Sequence, residues 1–518
     1  MERKPSAMNV LMVLADQHNA GQLGFAGHPE ALTPNLDAFA SEGMYFPQAY
    51  AQNPICTPAR VSILSGQYCH NHGYYGLSGP AHYGLDNLFR HFRRSGYRTA
   101  GYGKLHLPES PRNWIADDVD EFGDTYETAD GLFGKSAFLD GLESLGLRHL
   151  EDSWHNLSGA YSTQSISADA MASKLPYEHT QEAWCARKAM EFIDTGTDKP
   201  FFIQVALQRP HHPLLPQQRF LDMYPEDIEL PPTWNLAPDH RPPHFQEEWK
   251  KQHSAAWEYG KPGESFEDGL RRAWRATLAC VTQMDDIFGT LIEGLKERGL
   301  YENTIIIYSS DHGAYHGIHG LREKAPGICS DAVCRIPLIW RAPGATTAGS
   351  RSDALVEAVD FAATLPGLCG LPPMECVDGC DLFPLMAGTA AAVRQVAVTE
   401  NVESRSIRWD RWRLVHYPRR IFPGQEVGEL YDIEADPDER NNLYQKPESA
   451  RLVQEGRRLL LDWLIGSLRV VTTHPASVLT GDKPHLNRTK STYPQGSDGT
   501  ATDAYQPRFA GGMNINYR

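Results

Sequence analysis

Residues 10–15 (Val-Leu-Met-Val-Leu-Ala) form an unbroken apolar run closed by Asp16, with polar residues and Gly21 beyond it. A run without alternation suits a strand buried on both faces, as in a parallel sheet. Similar runs recur at residues 201–205, after Lys199-Pro200, and at 304–308 and 337–340. Helical patterns lie between them. Thr33-Pro34 supplies an N-cap and a first-turn proline, and Leu36, Phe39 and Ala40 make the apolar stripe that follows. Residues 86–95 predict a second helix, ended by Gly96, and 269–298 a long third one, ended by Gly299. Strands alternating with helices predict an α/β fold: a large mixed sheet flanked by helices on both faces.

Two stretches break this rhythm. Residues from about 110 to 180 and from about 215 to 265 are rich in Trp, Pro, Asp and His with weak periodicity, and read as loops or insertions over one end of the sheet. Their tryptophans Trp114, Trp154 and Trp234 are candidates to stack an aryl group or a sugar. Past residue 390 or so the texture changes again. Short strands are expected at 393–399, 405–409 and 411–417, and a closing amphipathic helix at 447–464, which makes a smaller C-terminal α+β domain. The expected division is residues 1–390, 391–471 and a polar tail, 472–518. Aromatics in that tail (Tyr493, Tyr505, Phe509, Tyr517) suit docking on a second copy, so a homo-oligomer is expected.

Composition narrows the function. Hydrophobic residues at 41% and aromatics at 10% exclude disorder over most of the 518 residues. A net charge of −16 argues against nucleic-acid binding, which needs basic surface for phosphates. No apolar run approaches the ~20 residues of a membrane span. The first apolar run is stopped by Asp16 too soon for a signal-peptide core. A soluble cytoplasmic protein is therefore expected. Nine cysteines, odd in number and irregular in spacing, give no disulfide framework.

The sharpest chemical signal is Cys56-Thr57-Pro58-Ala59-Arg60, followed by Leu64-Ser65-Gly66. Arg60 lies one helical turn beyond Cys56, on the same face, where it can brace charge developing there. Asp16-Gln17 closes the first strand, and Asp311-His312-Gly313 follows the strand at 304–308. Acidic groups at the carboxyl ends of two parallel strands can converge, and carboxylates with an amide oxygen suit a hard divalent cation. Gly103-Lys104-Leu105-His106, Pro210-His211-His212-Pro213 and His319-Gly320-Leu321-Arg322-Glu323-Lys324 carry the remaining basic candidates. Lys104 and His106, two apart on a segment expected to be extended, are expected to point the same way.

In type and order these motifs resemble the type I sulfatases of the alkaline phosphatase superfamily, over residues 9–465 or so. The resemblance implies that Cys56 is oxidised to formylglycine by a formylglycine-generating enzyme. One hydroxyl of the aldehyde hydrate attacks sulfur, and the other expels sulfate as the aldehyde reforms. It implies a divalent cation on Asp16, Gln17, residue 56, Asp311 and His312, with calcium as first choice and manganese or magnesium as alternatives. Arg60, Lys104, His106, His211 and Lys324 are the implied catalytic residues, with a small-molecule or glycan sulfate ester as substrate. Gln17 departs from the family's common Asp-Asp pair and removes one unit of charge from the cation site. The stretch from Glu429-Leu430-Tyr431-Asp432 to Asn442-Leu443 resembles the family's closing hairpin. Phosphonate monoester and phosphodiester hydrolases of the superfamily share Asp-Gln and Asp-His-Gly but not Lys104 with His106. That pair makes sulfatase the expected activity and the diesterase the alternative. A non-catalytic protein that binds sulfated glycans is the reading from another class.

Overall fold

The computed structural model describes residues 8–77, 79–109, 113–125, 136–151, 170–196, 198–254, 263–324 and 329–469. Its strands before residue 360 are β1 Asn9–Asp16, β2 Met44–Tyr45, β3 Ala49–Tyr50, β4 Arg98–Gly103, β5 Glu121–Asp124, β6 Phe201–Pro210, β7 Thr304–Ser310, β8 Arg335–Ile336, β9 Leu338–Arg341, β10 Ser350–Arg351 and β11 Val356–Glu357. Eight of them form one sheet in the order β10-β2-β9-β7-β1-β6-β4-β5. From β5 to β7 every neighbouring pair is parallel, while β9 runs antiparallel to β7. The sheet is therefore mixed, as expected.

The first apolar run lies at the middle of this sheet. Met12 is opposite Gln204 of β6 on one side and Ile307 of β7 on the other. Because side chains alternate across a strand, the run feeds two cores. Val10, Met12 and Leu14 pack with Val61, Ile63 and Leu64 of the helix Cys56–Ser65. Leu11, Val13 and Ala15 pack with Met284, Ile287, Phe288 and Leu291 of the long helix Phe266–Glu297. Each fully buried aliphatic side chain contributes about 1.5–3 kcal/mol.

The expected helices are present as Pro34–Glu42, Leu88–Arg94 and Phe266–Glu297. The first is capped differently from the expectation. Thr33 turns its hydroxyl to Asp37, and the open N–H groups of Asn35 and Leu36 donate to Asp285 of the long helix at 3.0 and 2.7 Å.

Two further expectations are corrected. The stretch from 110 to 180 is not all insertion, since β5 is an edge strand of the main sheet. Trp114 lies in a turn but is not free to stack a ligand: 1% exposed, it packs in the core with Leu105, Leu107 and Ile115. Trp234 stacks on Phe266 at the start of the long helix. Trp154 and the tail from 472 lie outside the described residues.

The C-terminal sheet is antiparallel, with β12 Ala397–Glu400, β13 Arg405–Trp409, β14 Trp412–His416 and β15 Gly428–Asp432 in that order. Ile407, Leu414 and Leu430 face Val453 and Leu460 of the closing helix Ala450–Ser467. Among the described residues no helix is long and apolar enough to cross a membrane.

Candidate active site

Parallel pairing places the carboxyl ends of β1, β4, β6 and β7 along one edge of the sheet. Asp16 ends β1, and Asp311 follows β7. Lys104 and His211 are the first residues beyond β4 and β6. The helix Cys56–Ser65 begins at the same edge, so its N-terminal dipole favours negative charge at Cys56.

One ligating atom each from Asp16, Cys56, Asp311 and His312 lies within 4.8 Å of the others, and all four residues are buried. His312 Nδ1 donates to the Gly313 carbonyl at 2.7 Å, which turns Nε2 to Cys56 Sγ at 3.3 Å. Gln17 has a left-handed backbone, φ 67°. Its N–H donates to Asp311 Oδ1 at 3.2 Å, and its side-chain Oε1 is buried without a hydrogen-bond partner. Two carboxylates, one imidazole and an orphaned amide oxygen are a donor set that fits a divalent cation.

Cations crowd the other side. Lys324 Nζ lies 3.2 Å from Cys56 Sγ, and Lys104 Nζ 2.8 Å from Asp16 Oδ2. Arg60 divides its guanidinium between Asp311 Oδ2 at 2.9 Å, Asp16 Oδ2 at 3.1 Å and the Lys104 carbonyl. Its donors are thus spent on holding the two carboxylates and the end of β4.

The charges act on one another. Burial and Asp16 work to raise the Cys56 thiol, but Lys324, Lys104 and His312 hold it well below its ordinary range. Burial likewise opposes ionisation of Asp16, and Lys104, His211, Arg60 and Lys324 outweigh it. At Asp311 burial prevails over Arg60 and the group is raised. Burial drives His211 well below its usual range, with Lys104 and His212 adding to the effect. Such a pocket suits a tetrahedral oxyanion beside a nucleophile.

The structure brings Asp16, Gln17, Cys56, Arg60, Lys104, Asp311, His312 and Lys324 together by direct contact. His211 joins them through the charges of Lys104, Asp16 and Lys324. His106 is delivered differently from the expectation, because the segment is not extended. Gly103 has φ 103°, Leu105 N donates back to the Gly103 carbonyl, and His106 has φ 47°. Its carbonyl accepts from the Thr57 hydroxyl at 3.0 Å, so His106 buttresses the helix Cys56–Ser65 through its backbone. The turn demands glycine, since a Cβ at Gly103 would lie 2.0 Å from the Ala206 carbonyl oxygen. His319 accepts from Arg241 at 2.8 Å, away from the cluster.

Sequence reasoning overlooked Glu323. It contacts Gln17 Nε2 at 3.3 Å and His212 Nδ1 at 2.7 Å. Between Arg322 and Lys324 it reads as one charge of a solvated run, and no local signal marks it.

The family model described as Sulfatase matches residues 8–371, and a second, described as N-sulphoglucosamine sulphohydrolase, C-terminal, matches 317–463. The chain is 25% identical to an N-acetylglucosamine-6-O-sulfatase of Bacteroides thetaiotaomicron, over 87% of this chain and 85% of that protein. It is 26% identical to an arylsulfatase of Clostridium perfringens, over 88% and 94%. The solved phosphonate monoester hydrolase of Agrobacterium radiobacter has the same fold, with a TM-score of 0.72 at 24% identity over 89% of this chain and 96% of that one.

Proposed function

The chain belongs to the sulfatase family, and on that premise we propose that it hydrolyses a sulfate monoester of an aryl or sugar alcohol, with Cys56 oxidised to formylglycine as the nucleophile. The observation that carries this reading is the position of Cys56. Its Sγ, which marks where the nucleophilic oxygens of the modified residue would sit, lies between Lys324 Nζ at 3.2 Å and His312 Nε2 at 3.3 Å.

Asp16, Gln17, Asp311, His312 and residue 56 would hold a divalent cation, with calcium first. When bound, it would supply positive charge to polarise a sulfate oxygen and favour deprotonation of the nucleophile. Arg60 holds and aims the carboxylates of Asp16 and Asp311. Lys104 and Lys324 offer ammonium donors to the oxygens of the sulfate, where charge gathers in the transition state. Burial leaves His211 uncharged, with its Nδ1–H spent on the His212 carbonyl, so the neighbouring His212, paired with Glu323, delivers a proton to the alcohol oxygen as the S–O bond breaks. The second hydroxyl of residue 56 then gives its proton to the histidine deprotonated in the first step, the bond from its carbon to the sulfate oxygen breaks as the aldehyde reforms and sulfate leaves, and water adds to the aldehyde to restore the hydrate.

Gln17 favours a second reading, hydrolysis of a phosphonate monoester or phosphodiester. An amide in place of a second carboxylate leaves the site less negative, as the resemblance to those hydrolases implies. Maturation requires a formylglycine-generating enzyme. The nine cysteines are unpaired thiols, which supports a cytoplasmic location. The oligomer expected from the tail rests on residues outside those described.

Intact mass of the Cys56 peptide, combined with a sulfate-release screen, tests the proposal. The peptide should be lighter by about 18 Da than its cysteine form, the loss that an activated aldehyde nucleophile requires. Full turnover by a cysteine-only sample would overturn the nucleophile. An unmodified Cys56 with no turnover would point to a binding protein.

A further inference from the structure

Glu323 precedes Lys324 and stands between the two halves of the site. One carboxylate oxygen, Oε2, accepts from Gln17 Nε2 at 3.3 Å. The other, Oε1, lies 2.7 Å from His212 Nδ1. The His212 ring stacks on His211, with centroids 4.2 Å apart and planes 27° apart. His211 Nδ1 in turn donates to the His212 carbonyl at 2.6 Å. Both histidine rings are thus fixed, one by the carboxylate and the other by the stack and the backbone.

The amide arm follows from chemistry. A carboxylate only accepts hydrogen bonds, so it must face the NH2 end of Gln17. The oxygen end is then turned away from Glu323, and that Oε1 is buried and without a partner. A buried acceptor without a donor is costly, and a cation there would satisfy it. Gln17 is itself tied to the cluster through its N–H on Asp311.

We propose that Glu323 is a positioning residue with two arms, one turning the Gln17 amide oxygen toward the cation cluster and the other holding the His212–His211 stack that delivers the proton. This rests on the reading above that Gln17 is a ligand and that His212 protonates the leaving group.

The test compares Glu323→Gln and Glu323→Asp with wild type in the full, formylglycine-bearing chain. Each protein is stripped of metal and titrated with calcium chloride by calorimetry, and each is assayed on aryl esters from 4-nitrophenol to unactivated phenol. The ester class is whichever the wild type turns over. Glu323→Gln should bind calcium at least ~10-fold more weakly, in line with partners that orient metal ligands. It should also lose more rate on phenol than on 4-nitrophenol, because a weak leaving group depends more on proton delivery. Glu323→Asp should recover part of both effects. Unchanged calcium affinity, or an equal loss across all leaving groups, would overturn the two-armed role. Absence of ester turnover by the wild type would count against the proposed function instead, and the calcium titration would still judge the Gln17 arm.

Discussion

Arg60 Nε donates to Asp311 Oδ2 at 2.9 Å, and both side chains are wholly buried. The pair ties the helix Cys56–Ser65 to the end of β7 across 251 residues of sequence. Asp311→Asn removes one of the two charges on which a cation would rely and leaves Arg60 with Asp16 alone. We expect loss of cation occupancy in metal analysis and a fall in kcat/KM above ~100-fold, beyond the range seen for partners that merely orient ligands. Breaking a buried pair typically costs about 3–5 kcal/mol. The Asp16 contact should keep the loss below that, so the variant should fold with a lowered Tm. Unchanged metal occupancy would refute the assignment.

Acid should loosen the junction between the two domains. Glu400 of β12 meets His70 Nδ1 at 2.9 Å, Arg405 Nε at 3.0 Å and the Tyr75 hydroxyl at 3.0 Å. Burial alone would raise this carboxyl, but His70 and Arg405 hold it at about 2 against an ordinary 4.5. A depressed carboxyl contributes stability in full above its unfolded value and loses it as pH falls toward the folded one. The window is therefore pH 4.5 down to about 2, and the contribution is about 3 kcal/mol. Denaturant titrations at pH 6 and pH 3 should show a smaller stability difference in Glu400→Gln than in wild type. Equal acid sensitivity would dismiss the linkage.

Gly103 makes a steric test. Alanine there would have to accept φ 103° and a Cβ 2.0 Å from the Ala206 carbonyl oxygen. Strain of that kind costs about 1–3 kcal/mol, and relief would shift Lys104 out of reach of Asp16. Gly103→Ala should lose both Tm and kcat/KM, whereas Gly96→Ala, equally left-handed but with nothing near its Cβ, should lose only Tm. Retained activity in Gly103→Ala would show that the turn does not place Lys104.

What the sequence made legible were features written in local pattern. The run at residues 10–15 suited a doubly buried strand, and its closing Asp16 fell at the sheet edge where parallel strands deliver side chains. Cys56 and Arg60 were legible because four residues on a helix fix a shared face. Features set by distant partners were not. The cap of the helix Pro34–Glu42 comes from Asp285, some 250 residues away. The turn at residues 103–106 overrode the extended reading of Lys104 and His106. Trp114 sits in a loop-like stretch yet is buried by the packing of Leu105 and Leu107. Glu323 is defined only by Gln17 and His212, one 306 residues away and the other on a different strand end.

Lys104 decides between sulfate monoester and phosphodiester. Its ammonium lies 2.8 Å from Asp16 Oδ2, 1% exposed, one residue beyond the glycine that ends β4. An ammonium is a compact charge with three donors, so Lys104 can keep Asp16 and still reach a substrate oxygen. A sulfate monoester has three non-bridging oxygens to satisfy, whereas a phosphodiester has two and a second organic group that needs room. With Lys104, Lys324 and His211 converging on the same space, that second group meets two ammonium groups and an imidazole. We expect kcat/KM for an aryl sulfate to exceed that for the matching phosphodiester or phosphonate monoester. Lys104→Ala should cut the sulfatase rate by more than the diesterase rate, because a charge-assisted contact made in the transition state is removed from one substrate and space is opened for the other. Parallel kinetics of wild type and Lys104→Ala on both ester classes provide the measurement. A wild type that prefers diesters, with both rates falling equally in Lys104→Ala, would move the chain to the phosphonate hydrolase side of the superfamily.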